Sequence, residues 1–264
     1  MTYHIFIGYD EREHTPFQVA KHTLESHATV PIKVHKLHHR DLRKSGLFTR
    51  PWKIKSDGTY ECLVDSRPFS TQFSHSRFLV PELWRNLNDP EKNPLTIFVD
   101  CDVLFKADIG LLFKQLESGR KTNPVYCVQH NYKPENTLKM DGCQQFDYNM
   151  KLWSSFVVFD MSNEENAKLT PEEVNTWTGR QLHSFNWISN ANLIGVVPES
   201  WNFIPNHSEK NSNTINMIHY TEGGPWFKDY RNCRYGDLWY EAFSDYLTNN
   251  LVKASFNTEK ILEG

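Results

Sequence analysis

Residues 95–103 read LTIFVDCDV. The stretch from Leu95 to Val99 is almost wholly apolar and short, so it reads as a central strand covered on both faces. It ends in two aspartates with one cysteine between them. In a parallel sheet, ligands gather where the carboxyl ends of the strands give way to loops, and extended residues two apart point to the same side. Asp100 and Asp102 are therefore expected to aim at one object. Two neighbouring carboxylates repel each other unless a positive charge stands near them, and paired oxygen ligands suit a hard divalent ion, Mg2+ or Mn2+. The plainer alternative is a strand-end cap for the next turn, since D-x-D triplets arise often by chance.

Outward from that strand, the pattern alternates strand and helix. YHIFIG ends in Gly8 as a first buried strand, Thr15 and Pro16 offer an N-cap and first helical position, and PIKVHKL reads as a second strand. That order is the signature of a parallel sheet. Asp57-Gly58 between two alternating runs signals a hairpin outside the main sheet. STQFSHSRFLVPELWRNL reads as helical, with Pro81 bending it or starting a second helix. ADIGLLFKQLES is a helix capped by Asp108, and PVYCVQH and FVVFDM are further strands. Thr170, Pro171 and Glu173 form a capping box. LIGVVP and INMIHY read as late strands, and DLWYEAFSDYLTNNL as an amphipathic helix, with Leu238, Trp239, Phe243 and Tyr246 near one face. A single α/β domain over residues 1–264 is the economical reading.

Composition narrows the function. A formal charge of -3 gives no basic stripe for a nucleic acid. Five scattered cysteines, none in a CxxC pair, argue against a disulfide framework or zinc knuckle and for reduced thiols in a cytosol. The first residues lack the pattern of a signal peptide, and no run approaches the ~20 apolar residues of a membrane span. A cytoplasmic protein is expected, or one resting on the inner membrane surface. The histidines of VHKLHH (His35, His38, His39) are read as a solvated strand end.

A third element of a metal site lies far downstream, in NMIHYTEGGPWF. His219 closes an apolar run and so also falls at a strand mouth. Gly223, Gly224 and Pro225 follow as a turn whose backbone can approach a phosphate. An O,O,N ligand set leans toward Mn2+ over Mg2+; a surface histidine before an ordinary turn is the alternative.

In order, IFIGYD, FSHSRFLVPEL, IFVDCDVLF, WSSFVVFD, IGVVPESWNFIP and MIHYTEGGPW resemble the nucleotide-sugar glycosyltransferases of the GT-A fold. The group matched is glycosyltransferase family eight, the glycogenin and lipopolysaccharide galactosyltransferase group, over residues 3 to about 230. The wording of the later motifs is more similar to a bacterial and phage-type subgroup. The resemblance implies a Rossmann-like, mostly parallel sheet with a nucleotide-binding half over 1–130, an acceptor-side half over 131–235, and a C-terminal helix and tail over 236–264. It implies that Asp100 contacts the donor ribose and the metal, that Asp102 chelates the metal, and that His219 is the third protein ligand. Gly8, Tyr9 and Asp10 would form the base loop, with Tyr9 stacking and Asp10 bonding the base edge. Arg77 would reach the donor phosphate or sugar, and Cys101, Ser154, Ser155, Gly223 and Gly224 would line the donor.

Tyr9 packing over the sheet edge, Asp10 capping the next turn and Arg77 pairing with Glu82 on a helix surface are the rival readings. Three departures stand out. The family's K-P-W turn has Gly224 in place of its lysine, leaving Arg77 and Lys228 to neutralise phosphate. Its N-x-G appears as Ser154-Ser155, and its D-Q-D aligns with Gln181, Leu182 and His183. Acceptor contacts are expected from residues 130–153, the helix after Thr170, and His183 to Trp187, with Trp153, Trp187 and Trp201 as sugar-facing candidates.

The implied activity is Mn2+-dependent transfer of a hexose from UDP-glucose or UDP-galactose to a glycan or lipid-linked acceptor, with retention. Two alternatives stand beside it. One is a weak sugar-nucleotide binder or hydrolase, favoured by the missing lysine. The other is a nucleotidyltransferase, disfavoured because GYDERE is acidic where that class carries a Gly-rich basic loop.

Overall fold

The computed structural model describes residues 1–117, 123–131, 150, 152–208 and 214–262, the last ten of these by backbone alone. Strand β1 (Thr2–Tyr9) leads through a 3-10 turn into helix α1 (His14–His27), and β2 (Ile32–His38) follows. Helix α1 starts before the predicted cap at Thr15. Asp10 accepts from the Arg12 backbone N–H at 3.0 Å and opens the 3-10 turn, which runs straight into the helix. Pro16 thus sits inside the first turn, where its missing N–H is not needed. Next come α2 (His39–Lys44) and the short strands β3 (Trp52–Ile54), β4 (Tyr60–Cys62) and β5 (Arg67–Phe69). These three form a separate antiparallel sheet, with Asp57-Gly58 at its first turn. Gly58 takes a φ of 83°, the left-handed conformation that such a turn demands.

A 3-10 turn over Ser76–Leu79 carries Arg77, and α3 (Val80–Arg85) begins with Pro81 in its first turn. Then β6 (Lys92–Val99), β7 (Val103–Phe105), α4 (Ile109–Glu117), β8 (Val125–Cys127) and β9 (Phe156–Asp160) follow. Helices α5 (Pro171–Thr176) and α6 (Gly179–His183) precede β10 (Ile194–Val196), β11 (Met217–His219) and α7 (Gly236–Leu262). The Thr170–Glu173 capping box is present, as expected.

The main sheet has the order β10-β8-β9-β6-β1-β2. Strands β1, β2 and β6 pair in parallel, as do β8 and β10, while β9 runs antiparallel between β6 and β8. Five strands therefore point the same way, and their carboxyl ends share one edge. Leu95, Ile97, Phe98 and Val99 of β6 are fully buried, each contributing about 1.5–3 kcal/mol of apolar burial. A second apolar cluster joins α1, β7, β11 and α7 through Val19, Leu104, Ile218, Tyr220 and Trp239. It clamps the small β7–β11 ribbon to the body of the fold.

Candidate metal and nucleotide site

At the mouth of β6 the chain turns without leaving the interior. The Asp100 N–H donates to the Ser155 carbonyl at 2.9 Å, and Asp102 is followed at once by β7. Strand β11 lies antiparallel to β7, with His219 opposite Val103, and the Tyr220 N–H donates to the Asp102 carbonyl at 2.9 Å. Backbone pairing thus sets His219 beside the aspartates. Ligand atoms of Asp100, Asp102 and His219 lie within 4.8 Å of one another.

The ring of His219 is oriented from behind. Its Nδ1 lies 2.9 Å from Asn202 Oδ1, while the Asn202 Nδ2 donates to Ser155 Oγ at 2.9 Å and Ser155 Oγ donates to the Leu152 carbonyl at 2.6 Å. Because the amide nitrogen is committed to Ser155, its oxygen faces His219 and must accept, so the imidazole proton sits on Nδ1. Nε2 then presents a lone pair 3.2 Å from Asp102 Oδ1 and has no hydrogen-bond partner. A lone pair facing a carboxylate in a buried site calls for a cation or a proton between them. A divalent ion held by Asp100, Asp102 and His219 fits this arrangement, and the Asn202 contact is the outer support such ligands commonly have.

Arg77 is drawn into the site differently from the expectation. Its Nη1 donates to the Ser154 carbonyl at 2.9 Å and forms an ion pair with Asp100 Oδ1 at the same distance, and its guanidinium lies over the rings of Phe98 and Phe73. The side chain is 7% exposed. It therefore offsets the charge of Asp100 from within the protein. Glu82, the partner of Arg77 in the rival reading, pairs with Arg85 instead.

Beneath the aspartates lies Glu13, unmarked by any sequence pattern. It is buried, and the Cys101 thiol donates to it at 3.6 Å. Burial first, then the negative charges of Asp102 and Asp10, push its carboxyl well above the usual range. The same burial pushes the Cys101 thiol up, so this pair favours its uncharged form. The Cys101 side chain is fully buried against Glu13, which leaves its backbone for the place along the nucleotide that the resemblance implies.

Several other expected contacts are accounted for by packing. Asp10 is fully buried; its oxygens accept from the Arg12 side chain and from the Gln72 N–H at 3.0 Å, which is the capping role weighed as its alternative. Gly8 makes room for Phe73, whose ring would lie 2.6 Å from an added Cβ. Tyr9 is half-buried, bonded to His14 and faced by Lys36. Ser154 and Ser155 are buried and serve the Arg77 and Asn202 contacts. His183 bonds Ser154 Oγ through Nδ1 at 2.7 Å, and burial, then the nearby Arg77 and Arg50, lower its pKa to about 3.

Trp187 and Trp201, taken as sugar-facing, are each 2% exposed and belong to the core. A side chain with no open face cannot stack on a sugar. Trp153 is half-buried, with its indole N–H donating to the His130 carbonyl. The expected acceptor residues 132–149 lie outside the described residues. The VHKLHH cluster is not solvated: His39 is buried, and His35 bonds His4 at 2.8 Å.

The Gly223-Gly224 turn sits beside the ligand set. Gly223 has a φ of 137°, and its N–H donates to the Tyr220 carbonyl at 2.8 Å. With His219, Lys228 and Arg231 it lines a cavity of about 340 Å³. Lys228 and Arg231 are exposed cations on that wall.

No protein-family model matches the chain. Protein CDI of Arabidopsis thaliana is 38% identical over 256 residues, covering 96% of this chain and 90% of that protein. The chain belongs to the Protein CDI family. Its fold, in turn, is shared with solved glycosyltransferases. GlyE of Streptococcus pneumoniae TIGR4 superposes with a TM-score of 0.57 at 11% identity, over 96% of this chain and 64% of that one. The bifunctional glycosyltransferase WbbM gives 0.55 at 15% identity, over 92% and 49%. The galactosyltransferase LgtC, solved with donor and acceptor sugar analogues, gives 0.51 at 12% identity, over 92% and 95%. The chain thus spans about half of WbbM and most of LgtC. This member of the Protein CDI family has the GT-A fold.

Proposed function

We propose that the protein is a divalent-metal-dependent glycosyltransferase that moves a hexose from a nucleotide sugar, UDP-glucose or UDP-galactose, to a glycan or lipid-linked acceptor. The observation that carries this reading is the convergence of Asp100, Asp102 and the Nε2 lone pair of His219 at the carboxyl edge of a GT-A sheet. Mn2+ suits that O,O,N set, with Mg2+ as the alternative. When bound, the ion supplies Lewis-acid stabilisation to the diphosphate oxygens. The residues do the rest. Arg77 cancels part of the carboxylate charge, so the bound ion keeps net positive character toward the donor. Lys228 and Arg231, on the cavity wall beside His219, supply the cations that the missing K-P-W lysine would have given. Tyr9, at the end of β1, and Lys36, on the neighbouring β2, border the base, and the Gly223 turn approaches the phosphates.

Transfer forms a bond from the acceptor oxygen to the anomeric carbon and breaks the bond from that carbon to the phosphate oxygen. The electron pair departs with the diphosphate, which accepts the acceptor's proton in a front-face mechanism with retention. Residues 1–130 would carry the donor and 131–235 the acceptor, in a cytoplasmic protein or one resting on the inner membrane surface. No helix among the described residues is long and apolar enough to cross a membrane.

The test is thermal melting with UDP, GDP, CDP or ADP, each with and without Mn2+. A rise that requires the ion and one nucleotide together is expected, and Asp102→Asn should remove the ion-dependent part. Absence of any joint effect would overturn the proposal. Turnover of the matching nucleotide sugar then separates a transferase from a binder.

A further inference from the structure

We infer that a second cavity, at the ends of β8 and β10, is the acceptor subsite and takes an uncharged, hydroxyl-rich carbohydrate. The role of acceptor rests on the transferase reading; the carbohydrate rests on the lining of the cavity itself. Strands β8 and β10 run parallel to β6, so residues 128–131 and 197–199 leave the sheet on the edge where Asp100 lies. There they border a cavity of about 690 Å³, within the range of sites that bury a small ligand.

The chemistry of the two cavities differs in kind. The one beside His219 carries Lys228, Arg231 and Arg234 against Glu222 and Asp229, a wall with cations in excess that suits an anion. Among the described residues, the lining of the second holds no lysine or arginine: its polar groups include Glu199, His130 and His207, and its apolar surface includes Val196, Pro198 and Ile204. A carboxylate and imidazoles bond hydroxyl groups well and would repel, or fail to balance, a phosphate. Apolar side chains between them match the C–H face of a sugar ring. His130 is buried, its Nε2 has no hydrogen-bond partner, and its backbone is fixed by the Trp153 indole at 3.0 Å. Such a group in a cavity wall is satisfied when a ligand hydroxyl arrives.

The cavities adjoin. Ile204 lines both, and His207 of the second bonds Glu222 of the first at 2.8 Å. A carbohydrate in the second cavity therefore approaches the diphosphate side across Ile204 and the His207–Glu222 pair.

The experiment uses the full chain and saturation-transfer NMR with maltose, cellobiose and lactose, and glucose 6-phosphate as the charged comparison. At least one neutral disaccharide should bind at millimolar concentration. Val196→Trp, at a position 63% exposed, should weaken it on the order of tenfold by filling the cavity mouth. Glu199→Gln should weaken it by a smaller factor and serves if the bulky variant does not fold, as judged by circular dichroism. Binding of none of the three, binding indifferent to the folded variants, or tighter binding of glucose 6-phosphate would each overturn the inference. Should saccharide binding respond to the variants while no nucleotide and ion stabilise the protein together, the cavity assignment stands and the transferase reading falls.

Discussion

Asn202 decides which nitrogen of His219 keeps its proton, and so which face of the ring meets the aspartates. It touches neither carboxylate, yet Asn202→Ala is expected to lower Mn2+ affinity by about 10–100-fold, the usual effect of removing a ligand's outer support; titration of the ion monitored by water proton relaxation checks this. Arg77 acts on the other side. Removing it strips the cation from Asp100 in a site only 13% exposed, and Arg77→Ala should cost about 3–5 kcal/mol in denaturant unfolding. Arg77→Lys should recover only part, because one ammonium matches two acceptors and two ring faces poorly. At this scale the sequence is only partly legible. Asp100, Asp102 and His219 end apolar runs and could be read. Asn202 and Glu13 lie in no recognisable spacing, because their roles come from contacts with residues 17 and 88 positions away. Trp187 and Trp201 misled for a related reason: an aromatic residue reads the same whether its ring faces solvent or core.

Among the elements, β1 depends on a contact its own pattern does not reveal. Gly8 lets Phe73 lie against the strand, and Phe73 in turn supports the Arg77 guanidinium at 5.3 Å. Gly8→Ala should therefore cost about 1–3 kcal/mol through overpacking and shift Arg77 as well, seen as a lower denaturation midpoint together with weaker ion binding. Strand and helix identities were readable where local chemistry is strong, as in the β6 run, the Asp57-Gly58 turn and the Thr170 capping box. The start of α1 was not, because Asp10 spends its carboxylate on a 3-10 turn that feeds the helix early. Nor does anything in INMIHY announce that it pairs with the three residues after Asp102 rather than joining the main sheet.

For the molecule as a whole, histidine burial sets the acid limit. Burial, the largest cause for each, lowers His35 and His39 to about 4 and His130 and His183 to about 3. These groups stay neutral in the fold, whereas the unfolded chain takes up protons below about pH 6.5. Stability is thus fully present above that value and is lost as pH falls toward 4. Glu13 works in the opposite sense, since its raised pKa makes the fold less costly as pH falls toward the ordinary carboxylate range. The histidines outnumber it, and the melting temperature should drop by roughly ten degrees between pH 7 and pH 5; a flat profile would contradict the neutral assignment. The β7–β11 ribbon has one last implication. Side chains alternate along a strand, so a one-residue deletion inside Met217–His219 would slide the pairing and swing the imidazole to the opposite face, where Ile218 now packs. The three ligands hold their places through main-chain ladder bonds, so the ion finds its cradle assembled and has no folding to do on arrival.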